Sequence, residues 1–82
     1  MRVYGIFIKQ GDANFIKASE KDFAEEIKRN NGGAVLSGFD MSRYIGCIVF
    51  KKREERDRVA QYCEKIDLDI DTRDDGVIDY DF

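Results

Sequence analysis

Residues 2–9, Arg-Val-Tyr-Gly-Ile-Phe-Ile-Lys, are rich in β-branched and aromatic side chains and predict a first strand. Gln10 to Asn14 read as a turn, and Phe15 to Ala18 as a brief extension of the pairing. The spacing then becomes helical. Phe23, Ala24 and Ile27 share one face behind Ser19 as N-cap, with Asp22 at the capping-box position. Asn30-Asn31-Gly32-Gly33 stops this helix, because Asn and Gly accept left-handed geometry. Residues 34–39 predict a second strand. Residues 43–52 predict a third, apolar on both faces and therefore central in a sheet. Residues 53–66 return to a helical stripe of Val59, Ala60, Tyr62, Cys63 and Ile66, with Glu55 and Arg58 on the wet side. In the tail the period becomes two. Leu68 and Ile70 alternate with Asp67, Asp69 and Asp71, and Ile78, Tyr80 and Phe82 alternate with Val77, Asp79 and Asp81. A hairpin turning at Asp75-Gly76 joins the two limbs, one face apolar and the other carrying five aspartates.

The element order is β-α-β-β-α-β, with the last strand doubled into the hairpin. Two helices on one face of an antiparallel sheet make an α+β fold of the ferredoxin-like, split β-α-β kind. The chain's 82 residues make one domain. Two short stretches resemble the RNA-recognition motif, which has the same element order. Residues 6–11, Ile-Phe-Ile-Lys-Gln-Gly, fit the start of its first-strand signature, with Phe7 at the base-stacking position. Residues 43–50 match its third-strand signature at Arg43, Gly46, Ile48 and Phe50. The resemblance implies a sheet face that stacks bases, but both third-strand stacking positions hold other residue types, Ile45 and Cys47. It therefore supports the fold more than RNA binding. A degenerate RNA-binding domain using Phe7, Arg43 and the cations of 51–58 is the alternative reading.

Composition changes the picture mainly by exclusion. The chain has no histidine, which removes the commonest general base and metal ligand, and no Ser-His or Cys-His nucleophile system can be built from it. No enzyme activity and no cofactor are implied. Cys47 and Cys63 fall in apolar periodic segments and are expected as buried thiols in a reducing, cytoplasmic setting. The N-terminus shows no signal-peptide pattern, and no apolar run is long enough for a membrane span. Residues 71–82 imitate a calcium loop at Asp71, Asp75, Gly76, Ile78 and Asp79. Arg73 and Phe82 stand where two ligands are needed, so no metal is expected.

Charge adds the last element. Residues 1–66 hold 13 basic and 10 acidic residues, whereas 67–82 hold one basic and seven acidic, within a net charge of −3. The basic run at 51–58 reads as a solvated, ion-paired face. Like charges on one strand-pair face repel, so the aspartates are somewhat costly. They serve either to block edge-to-edge aggregation or to recognise a basic protein. On the second reading Asp67, Asp69, Asp71, Asp79 and Asp81 supply charge. Phe7, Ile45 and Tyr44 supply apolar contact, with Phe7, Ile45, Cys47 and Val49 expected on the sheet face turned away from the helices. The expected partner is a basic protein, such as one that itself binds nucleic acid, and the chain would act as its inhibitor or regulator. The same surface suits a homodimer. Direct nucleic-acid contact is disfavoured, because the carboxylates lie close to that sheet face.

Overall fold

The computed structural model describes residues 2–35 and 42–77. It runs β1 (Arg2–Lys9), α1 (Asp12–Ala18), α2 (Lys21–Arg29), β2 (Gly33–Val35), β3 (Tyr44–Phe50), α3 (Arg53–Lys65) and β4 (Ile70–Val77). The strands form one antiparallel sheet in the order β2-β3-β1-β4, so this is an α+β fold with three helices. β1 and β3 are the two central strands, β3 as its apolar run predicts. Their inward residues Ile6, Ile8, Ile48 and Phe50 are buried against Phe23 of α2, Val59 and Cys63 of α3, and Leu68. Phe23 also stacks on Tyr62, with centroids 6.2 Å apart, which packs α2 against α3.

Four features differ from the expectations above. Residues 12–18 form α1 instead of a turn and a strand extension. Asp12 opens this helix and Lys17 closes it, each suited to the local end of the backbone dipole. Ser19 is consequently the C-cap of α1, its hydroxyl donating to the Phe15 carbonyl at 2.8 Å, and Glu20 is the N-cap of α2. Glu55 is buried, not wet. It accepts from Asn31 Nδ2 at 2.6 Å, while Arg58 Nε donates to Asn30 Oδ1 at 2.7 Å, so two amides at the end of α2 tie it to α3. Finally, the chain does not turn at Asp75-Gly76. β4 runs through to Val77, with Gly76 paired to Val3 and Val77 to Arg2. Long β1 supplies a pairing partner along this whole stretch. The surplus residue is absorbed as a bulge in which Asp74 and Asp75 together face Tyr4.

α2 and α3 end alike. Asn31 and Asp67 take left-handed φ values of 59° and 56°. The Gly32 and Leu68 amides donate back to the Ile27 and Cys63 carbonyls, each at 2.9 Å. These are Schellman closures, for which Asn and Asp are the tolerated substitutes for glycine.

Candidate functional site

On the sheet face away from the helices, a polar cluster sits at the Lys9 end of β1. Pairing sets Phe7 opposite both Cys47 and Asp71, and Lys9 opposite Tyr44. The Lys9 ammonium lies 3.4 Å from Asp69 Oδ1 and 3.5 Å from Asp71 Oδ1. From β3, the Tyr44 hydroxyl reaches across β1 and donates to Asp71 Oδ2 at 2.7 Å. This bond, followed by the Lys9 charge, holds the Asp71 carboxyl below the usual carboxylate range. Lys9 is raised in turn, first by its hydrogen bond to Asp69. These residues, with Gln10 and Arg43, line a shallow recess of about 260 Å³.

Beside the cluster, the Phe7 ring packs at 5.3 Å from the Tyr44 ring and carries the Arg73 guanidinium at 4.9 Å. The centre of this face is closed, with Val3, Cys47 and Val49 only 2, 5 and 2% exposed. Burial pushes the Cys47 thiol up to about 11 and Cys63 to about 12, so both free cysteines remain protonated.

The predicted site residues are only partly gathered. Asp69, Asp71, Tyr44 and Phe7 come together as described. Asp67 does not alternate along a strand, since it occupies the left-handed position that ends α3. Its carbonyl accepts from Lys17 Nζ at 2.8 Å, and its side chain is exposed. Ile45 lies on the opposite face from the one expected. A bulge makes it the extra residue between the Lys9–Tyr44 and Ile8–Gly46 pairs and turns it onto the helix-side core. Asp79 and Asp81 lie outside the described residues. The described carboxylates are not a bare acidic field either. Asp69 and Asp71 share Lys9, and Asp74 pairs with Arg56 and with Arg53, the latter at 3.5 Å. Sequence reading missed Lys9, although its place two residues after Phe7 on the same strand face was a usable signal.

As a base-stacking platform the face has little to offer, because Tyr44 and Cys47 are each 5% exposed and Phe7 is already covered by Arg73. The segment 71–77 is strand, not a cation-binding loop. No group of three or more Cys, Asp or Glu residues that could hold a metal ion occurs among the described residues. No described helix is long and apolar enough to cross a membrane. No family model matches the chain, and no curated protein or solved structure matches it.

Replacing Tyr44 by phenylalanine removes the hydroxyl that leads the lowering of Asp71. The Asp71 carboxyl is then expected to titrate closer to an ordinary aspartate, read from its carboxyl carbon shift in an NMR pH titration. In the parent protein this carboxylate contributes stability above its unfolded pKa, and that contribution is lost as pH falls through the lowered folded value. In the variant that contribution is smaller, and its loss is complete at a higher pH. An unchanged midpoint would show that the hydrogen bond does not set the titration.

Proposed function

We propose that this chain is a non-enzymatic protein-interaction module that engages a basic protein through the aspartates beside β4. The observation that carries this reading is the sharing of one ammonium, Lys9, between the exposed Asp69 and the partly exposed Asp71 carboxylates, with Asp67 exposed a few residues away. Exposed pairs at 3.4 and 3.5 Å contribute about 0–1 kcal/mol each. A partner's cation can therefore replace Lys9 at little cost. Guanidinium suits the exchange best, since its planar fork can take two carboxylate oxygens at once. Tyr44 holds Asp71 in place beforehand, which reduces the ordering lost on binding. Electrostatic recognition of this kind raises association rate and specificity more than affinity. A partner that itself handles nucleic acid has the required basic surface, and the module would then regulate it by covering that surface.

The proposed frame is ferredoxin-like. Support comes from the sheet order, in which β1 and β2, and likewise β3 and β4, are joined through helices and separated by one intervening strand. α1 would be an addition to that frame.

An arginine-rich peptide is the direct probe. Its affinity is expected to fall steeply between about 50 and 300 mM salt. A D67N/D69N/D71N variant is expected to bind at least about tenfold more weakly, a difference of about 1.4 kcal/mol, with its far-UV circular dichroism unchanged. Equal affinity for the variant and the parent would dispose of the acidic-edge reading.

A further inference from the structure

α1 is turned inside out for a surface helix. Its most buried residue is the polar Asn14, with the small Ala18 packing on the core one turn on; the Asn14 amide donates to the Lys9 carbonyl at 3.1 Å and accepts from the Asp69 amide at 3.2 Å. Its outward residues are Phe15 and Ile16, 62 and 63% exposed, the two large apolar side chains that stand out from the described surface. Next to them is an apolar cleft of about 230 Å³, lined chiefly by Ile8, Phe15, Phe23, Ile27, Ala34 and Ile45. It exceeds the ~150 Å³ at which an apolar cavity accepts benzene, so it has room for an aromatic ring. Ser19 is a polar residue at this cleft, and its hydroxyl is committed to the Phe15 carbonyl.

We infer that this α1 face is a self-association surface whose occupant is a second copy of the chain, with Phe15 and Ile16 of each copy seated against the cleft of the other. Two features select that occupant. The protruding doublet and the recess lie side by side on one surface, which is the self-complementary layout a two-fold interface needs. The charges on the two helices are of mixed sign. On α1, α2 and the cap between them, Asp12, Glu20, Asp22, Glu25 and Glu26 stand against Lys17, Lys21, Lys28 and Arg29. A strongly basic or acidic partner would meet like charges as well as opposite ones there, whereas a rotated copy supplies both signs. The surface adjoins the aspartate cluster, since Lys17 of α1 donates to the Asp67 carbonyl.

Sedimentation equilibrium from about 10 μM to 1 mM, spanning weak affinities, tests the assignment. The parent protein is expected to rise from monomer toward dimer, and to do so equally in about 0.5 M salt, because apolar contact is not screened. Phe15→Glu and Ile16→Glu are expected to abolish the rise while leaving the circular dichroism unchanged, since both side chains are already exposed. Three results would overturn the inference. These are a monomer across the whole range, a dimer undiminished in both variants, or a monomer whose cleft takes up an anilinonaphthalene sulfonate probe without associating.

Discussion

Arg56→Ala is expected to remove about 1–3 kcal/mol of unfolding free energy, because the backbone acceptors that this buried guanidinium serves are left unmet. Stability of the whole fold is expected within about 5–15 kcal/mol, so chemical denaturation should show a large fall in midpoint. Arg56 is 4% exposed in the first turns of α3. Its guanidinium donates to the Arg73 carbonyl at 2.9 Å, more distantly to the Gly5 carbonyl at 3.5 Å, and to the Asp74 carboxylate. The Arg73 carbonyl lies at the β4 bulge, where the regular ladder is interrupted. Truncation leaves that acceptor without its donor, and an unmet buried polar group costs about 1–3 kcal/mol. The Tyr4 ring, 5.8 Å from the guanidinium carbon, loses a cation–π partner as well. Arg56→Lys keeps the charge but loses the fork, and should fall between parent and alanine variant. Asp74→Asn should cost less than about 1 kcal/mol, because that side chain is half exposed. If Arg56→Ala unfolded at the parent midpoint, the bulge would not depend on this residue.

Phe50→Ala is the second large effect, expected at about 3–5 kcal/mol. Phe50 is fully buried where β3 meets α2 and α3. Its ring presses on the turn after α2. A Cβ placed on Gly32 would lie 2.6 Å from Phe50 Cε2 and 2.8 Å from Ile27 Cγ2. Gly32→Ala alone should therefore cost about 1–3 kcal/mol by overpacking. The two substitutions share one space and cannot be independent. In the double variant, the new methyl enters the void left by the ring, so the combined loss should be smaller than the two single losses added together. Strict additivity in a double-mutant cycle of denaturation midpoints would show that the clash is relieved some other way.

Much of the fold was legible because burial leaves periodic traces. The apolar runs at 2–9 and 43–52 marked two strands, the second of them as central, and the stripe at Val59, Cys63 and Ile66 marked α3. α1 was not legible, because its most buried residue is polar and its outward residues are apolar, the reverse of the usual stripe. Asp67 and Glu55 were misplaced for related reasons. Alternation around Leu68 imitates a strand, although Asp67 serves a helix end, and a carboxylate has no sequence signature for an amide partner 24 positions away. Within the candidate site, the residue type and approximate face could be read for Phe7 and Asp71, whereas Tyr44 reaches this face only through the bulge at Ile45. The shared cation could not be weighed until β1 and β4 were known to be neighbours.

The two bulges act on side-chain parity. A strand's odd and even positions keep their sides only while each residue has one counterpart across the ladder. Ile45 breaks that count in β3, and the 74–75 pair breaks it in β4. Beyond each break, odd positions inherit the side that even positions held before it. Removing one residue from either place would restore continuous pairing and leave every later side chain of that strand on the side it now occupies.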